Sequence, residues 1–246
     1  MKVKFFKHFI SVSIVFTLSL FMGLSTVSAS SPMVIGYSQD YLSSALDKTI
    51  AEYNEELKSN IGREEKAKVT DLLKTAVSLK RFIPTNSTKF VSFSDMKNSR
   101  ISTGSRVDYV VLLAMSWLSQ KGYVLAKELL LHAYSNNNKK STYKPHYGYR
   151  VKGTKTFNSI IASKKTSGST AFKNSGSNKD KDCYYALHKV NYTKPSKNSK
   201  KATIKDYYDY VKGDYNGITA YAVNLLADSQ KQGYLVPYYV SITYSK

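Results

Sequence analysis

A single cysteine in 246 residues leaves no partner for an internal disulfide, so packing alone must hold the fold. No His-x-x-x-His, Cys-x-x-Cys or Gly-x-Ser-x-Gly pattern occurs. Zinc peptidase and serine hydrolase chemistry therefore lack their usual carriers. A glycine-rich phosphate loop is missing as well. Acidic residues are scarce, 17 against 37 basic ones. Beyond the first 24 residues no apolar run is long enough to span a bilayer. Cys183, next to Tyr184, reads as a half-buried strand residue with no neighbour to lower its pKa.

The N-terminus carries export chemistry in the right order. Lys2, Lys4 and Lys7 precede an apolar stretch from Phe9 to Leu24, and Val27-Ser28-Ala29 places small residues at the −3 and −1 positions. Residues 1–29 thus read as a secretory signal peptide cut before Ser30. Its apolar core is diluted by serine, and no cysteine follows the cut to carry a lipid. The expected product is secreted, extracellular and free of any transmembrane segment.

Charge is distributed unevenly along the remaining chain. Ser30 to Arg81 holds eight acidic and eight basic side chains, whereas Phe82 to Lys246 holds nine acidic and 26 basic. A field of that sign gathers polyanions and speeds their encounter. An abundance of Lys, Asn, Tyr and Ser matches the exported proteins of low-GC Gram-positive bacteria. The polyanions at such a surface are cell-wall polymers, lipid head groups and extracellular nucleic acid.

Periodicity predicts amphipathic helices over residues 38–58 and 63–82, a helix apolar on every face over 105–121, and a fourth over 124–134. Gly122-Tyr123 and Gly233-Tyr234 share one helix-ending chemistry. Residues 135–182 read as loop-rich, with one short helix at 156–162 and a mobile stretch from Thr166 to Lys181. Strands are expected over Tyr184–Thr193, Ala202–Tyr210 and Val236–Tyr244, the last starting at an edge because of Pro237, with a helix over Thr219–Gln232. The expected organisation is a helical region at 30–138, a basic loop-rich segment at 139–183 and a β-β-α-β region at 184–246. The fold class is α+β: N-terminal helical hairpins packed with a small, largely antiparallel C-terminal sheet and one helix.

Two constellations could carry function. Lys139, Lys140, Lys144, Arg150 and Lys152 alternate with Tyr143, Tyr147 and Tyr149, the mixture of cations and flat faces that tracks an anionic polymer. Asp206, Tyr208 and Asp209, with Asp214 five residues on, form the other. Grouped carboxylates bind a divalent cation, serve as acid and base, or simply make a turn. The Asp-x-Tyr-Asp pattern of Asp206, Tyr208 and Asp209 resembles the signature of colicin-M-type bacteriocins. That family's motif continues with a His-Arg pair where this chain has Tyr215-Asn216. The resemblance implies cleavage of a lipid-linked peptidoglycan precursor, with these residues catalytic. In that hydrolase reading the grouped carboxylates offer a place for a divalent cation as cofactor, and His188, on the preceding strand, is the nearby histidine by topology.

The leading expectation is a secreted cationic protein that binds anionic polymers at the bacterial surface without catalysis; the alternative is a toxin-like hydrolase. Export generates a direct test. Sequencing the protein recovered from culture medium should give an N-terminus at Ser30, and an intact Met1 in a membrane fraction would contradict the assignment.

Overall fold

The computed structural model describes residues 36–37, 39–83, 91–92, 103–136, 141–211 and 217–246. Residues 1–29, read above as a signal peptide, lie outside them, as do Lys139, Lys140 and Asp214. Helix α1 (Gln39–Lys58) and helix α2 (Arg63–Leu79, followed by a 3-10 turn over Lys80–Phe82) form a hairpin. Leu42, Leu46 and Tyr53 face Val69, Leu72, Ala76 and Leu79, all buried, because three- and four-residue spacing gathers each set on one side of its helix.

Helix α3 (Thr103–Lys121) buries Val110, Val111, Leu112, Leu113 and Met115. Five such positions cannot share one stripe, so the helix must be surrounded. It packs on α1, on α4 (Val124–Ser135) and on the later α7 (Gly217–Lys231). Gly122, at φ +68°, ends α3, and the N–H of Tyr123 reaches back to the Leu118 carbonyl. Gly233 and Tyr234 repeat this ending after α7, with Tyr234 N–H on the Ser229 carbonyl. Both are the left-handed cap expected from the shared Gly-Tyr pairs.

The five-stranded sheet has the order β3 (Thr142–Tyr143), β7 (Tyr238–Ser245), β6 (Lys201–Tyr208), β5 (Lys189–Thr193), β4 (Ser167–Ala171). Only the β3–β7 pair is parallel. A separate pair, β1 (Gly36–Tyr37) with β2 (Val91–Ser92), is antiparallel. The fold is therefore α+β, with helices first and sheet last. One sheet face buries Val190, Tyr192, Ala202, Ile204, Tyr208, Tyr238, Val240 and Ile242. Tyr238 ties it to α4 by donating its hydroxyl to the Leu129 carbonyl at 2.7 Å. A 3-10 helix (His146–Val151) lies against β7. Gly148 permits that approach, since a Cβ there would come within 3.3 Å of Ile242.

Three expectations need correction. Tyr184 to Leu187 is helical, the end of α6 (Asn178–Leu187). Ser177 and Asp180 open this helix with a reciprocal capping box, and Cys183, Ala186 and Leu187 are its buried stripe. Cys183 is thus a core helix residue whose thiol burial pushes up. The segment from 135 to 182 is also mostly regular. Besides the expected short helix, here α5 (Lys155–Ala162), it holds the 3-10 helix, β4 and α6. Pro237, finally, precedes a strand whose first residues are flanked on both sides, by β3 and β6.

Buried charges hold the ends of several elements. Helix α4 has no side-chain cap of its own at Tyr123. Asp182 of α6, fully buried, accepts the N–H groups of Leu125 at 3.2 Å and Ala126 at 3.0 Å. Glu128 of α4 in turn accepts the N–H groups of His146 at 2.7 Å and Tyr147 at 2.8 Å, which open the 3-10 helix, and the Tyr143 hydroxyl at 2.6 Å. Lys194 closes the other end of α5 by donating to the carbonyls of Ile161 at 2.9 Å and Ser163 at 2.6 Å. Removing a carboxylate that serves several buried donors strands all of them. Glu128→Ala should therefore lower stability by about 3 kcal/mol or more, while Glu128→Gln, which keeps one acceptor, should cost less. Urea unfolding of the two variants measures the difference.

Candidate functional site

The acidic cluster divides between surfaces. Asp206 stands on the buried face of β6, in line with Ile204 and Tyr208 and paired across the sheet with Val240. Burial pushes its carboxyl up to about 7, and the nearby Asp209 charge adds to the effect. Asp209 is exposed just past the end of the strand, and partial burial raises its carboxyl as well. The Tyr208 hydroxyl is shared with that of Tyr210 at 2.6 Å. His188 is not a strand residue. It ends α6 at φ +43°, an unusual conformation for any side-chain-bearing residue, and its carbonyl accepts the Phe172 N–H at 2.7 Å. Its imidazole is exposed beside Tyr184 and is lowered by burial and by Lys189. The structure thus brings Asp206 and Asp209 within electrostatic reach of each other, but neither carboxylate figures in what shifts His188. Among the described residues no three metal-ligating side chains gather in one place.

The basic run is dispersed too. Arg150 faces inward, its Nε on Asp182 at 2.8 Å and its Nη2 on Asn178 at 2.7 Å. Tyr147 is buried and Tyr143 bonds Glu128, so these rings belong to the core, and only Tyr149 remains substantially exposed. Lys144 and Lys152 are exposed. Lys144 borders a groove of about 570 Å³ lined by Glu56, Glu64, Glu65, Lys68 and His146. A second groove of about 560 Å³ holds Glu52, Glu55 and Glu56. Several of these glutamates have local partners: Lys127 pairs with Glu52 at 2.6 Å and Lys68 with Glu64 at 2.8 Å, and His146 Nε2 lies 2.8 Å from Glu56. Neither groove offers a surplus of cations over carboxylates to a polyanion.

The outer face of the sheet differs from both. No described element covers it: Ser167, Ser169, Lys189, Asn191, Thr193, Lys201, Lys205, Tyr207, Tyr239 and Thr243 are all exposed. The pleat explains the set, since alternate residues of each strand point to one side. Register aligns Ser169, Asn191, Lys205 and Ser241 across four strands, with Ser167, Thr193, Thr203 and Thr243 as the next row. Cross-strand bonds join Ser169 to Asn191 at 2.6 Å and Thr203 to Thr243 at 2.8 Å. Tyr207 and Tyr239 close one end, their ring centroids 4.9 Å apart. At the other end Lys246 N–H meets the Lys200 carbonyl and Lys194 N–H meets that of Thr166, so the exposed Lys164 and Lys165 stand at the same end of the sheet as Lys200 and Lys201. Asp206 is the one carboxylate in the five strands, and it points inward.

Sequence reasoning passed over Lys189, Lys201, Lys205, Tyr207 and Tyr239. Their signal was the polar half of the strand alternation, Lys-x-Thr-x-Lys-x-Tyr from Lys201 and Tyr-x-Ser-x-Thr from Tyr239. No family, curated protein or solved structure matches the chain.

Asp206 generates a pH test. Its folded pKa, about 7, exceeds the roughly 3.9 of an unfolded aspartate. The folded state therefore holds the proton more tightly, and stability falls as pH rises through that window. The full loss is at most roughly 4 kcal/mol, reached above pH 7. Asp206→Asn should remove this slope, giving a variant more stable than the parent at pH 8 and little changed at pH 4. Urea midpoints at the two pH values decide it.

Proposed function

We propose that the protein is exported and binds anionic polymers through the open face of its sheet, without chemistry of its own. The observation that carries this reading is the one-sided use of charge. Glu128, Asp180 and Asp182 are buried and bonded to backbone N–H groups of neighbouring elements, while Lys189, Lys201 and Lys205 stand outward on a surface without a strand carboxylate. A ligand reaching this face meets cations, hydroxyls and amides along the strands, with Asp209 exposed just past the end of β6. Repulsion of a polyanion is absent from the strands themselves.

The polymers of matching chemistry are cell-wall polyphosphates, anionic lipid head groups and nucleic acid outside the cell. All offer repeated negative charges to lysines that lie along one strand and around one sheet end. Lysines of this kind bind phosphate as point charges, so affinity follows counterion release.

Salt sets the first test. If about four phosphates are neutralised, log affinity should fall against log salt with a slope of roughly −3. Replacing Lys164, Lys165, Lys200, Lys201 and Lys205 together by Ser should weaken binding to polyphosphate at least tenfold and flatten that slope. These side chains are exposed, so the melting temperature should barely move. Replacing Lys144 and Lys152 by Ser should leave affinity within about twofold. The opposite ranking, measured by titration at two salt concentrations, would move the site off the sheet.

A further inference from the structure

Two tyrosines on the open face have no role in a purely electrostatic site. Tyr207 and Tyr239 sit directly opposite each other on β6 and β7. They remain 46% and 55% exposed, although the same strands bury Tyr208 and Tyr238 on the inner side. Their planes are inclined by 54°, so the rings do not cover each other. Among the described residues, the other exposed large apolar side chains, Val77, Tyr149, Val211 and Tyr234, form no ring pair with them or with one another.

Position matters as much as exposure. Lys205 precedes Tyr207 by two residues on the same strand face, roughly 7 Å along β6. Lys189 lies on β5, the neighbouring strand, and is exposed on the same face. Next to the rings, Asn191 and Ser241 continue the Lys205 row with neutral donors and acceptors. A cation, an open aromatic face and uncharged hydrogen-bonding groups thus lie within one nucleotide's reach of each other at this end of the sheet. From Lys201 to Tyr207 the face extends roughly 20 Å, enough for several linked units.

We infer that the occupant of this face is single-stranded nucleic acid, with a base stacked on the Tyr207–Tyr239 pair and the backbone phosphates drawn along Lys189, Lys205 and Lys201. This rests on the polyanion-binding reading and narrows it. A polyphosphate or polyol-phosphate chain would use the lysines but has no flat face for the rings. A duplex has its base faces already stacked and offers none to an open sheet. Base–aromatic stacking tolerates any sequence, because every base has a π-face, so the site should select strandedness and not sequence.

The experiment is fluorescence anisotropy with a labelled 12-nucleotide oligothymidylate, with unlabelled polyphosphate and a 12-base-pair duplex as competitors. Wild-type protein should prefer the single strand to the duplex. Tyr207→Ala with Tyr239→Ala should weaken oligothymidylate binding about tenfold or more and leave polyphosphate affinity within about twofold. Tyr207→Phe with Tyr239→Phe should retain most of it, since the π-face is kept. Equal binding of duplex and single strand, or an Ala pair that affects both polymers alike, overturns the nucleobase inference while polyanion binding stands. Failure of the wild type to bind either polymer overturns both.

Discussion

The fold depends on a buried carboxylate that caps a helix to which it does not belong. Asp182, on α6, takes two N–H groups from the start of α4 and is held by Arg150. Four orphan donors at a helix start need partners, and Tyr123 at that position has none to give. Once α4 begins where Asp182 dictates, Glu128 falls in its first turns. That residue fixes the start of the 3-10 helix and, through Tyr143, the position of β3. Helix, 3-10 helix and sheet edge are thereby placed in sequence by two carboxylates. Burying them is costly, as the upward pressure on both carboxyls records. Each cost is offset by three charge-assisted bonds, the geometry in which such groups are tolerated.

This internal use of acid shapes the surface. The later part of the chain has nine acidic residues against 26 basic ones. Glu128, Asp180 and Asp182 are withdrawn into the interior, and Asp206 points under the sheet. What remains outside is more basic than composition alone implies. Arg150 follows its partner inward, so the cation most suited to gripping a phosphate is committed to structure. Apart from the buried Lys127 and Lys194, most of the described lysines of this part of the chain, which pair loosely and snorkel readily, are left at the surface.

How much of this was legible depends on which force placed each residue. The helices α1 to α4 and α7 could be read from apolar spacing, because burial of a stripe is what forms them. Both Gly-Tyr caps were equally plain, since φ near +70° to +85° favours glycine. Apart from the short helix at 156–162, residues 135–182 were not legible, because their order comes from Glu128, Asp180, Asp182 and Lys194 acting at long range. Tyr184 to His188 alternates like a strand but follows a capping box at Ser177 and Asp180, and the helical spacing of Cys183, Ala186 and Leu187 fits as well. The tyrosines of the basic run were misplaced for the same reason. A 3-10 period turns Tyr147 inward and leaves Tyr149 out. On β6 and β7 the register was readable, yet the acidic cluster drew notice to residues that the pleat sends to opposite sides.

An open sheet face also raises the question of its edge. β4 pairs only with β5 and leaves its far side unpaired within the sheet, a template for joining a second sheet. Its sequence, Ser-Gly-Ser-Thr-Ala, is short and weakly apolar. Tyr192 crosses Gly168 on the inner face, within 3.1 Å of where a Cβ would stand, so the ring, not a larger strand residue, supplies the packing there. Lys164 and Lys165 precede the strand and Lys173 follows it, all exposed. Like charge at both ends disfavours edge-to-edge pairing of two copies. The lysines proposed to meet a polyanion therefore also guard the free edge against a second sheet. Neutralising Lys164 and Lys165 weakens both effects at once, whereas Tyr207 and Tyr239, at the opposite end of β6 and β7, can be altered without touching the edge.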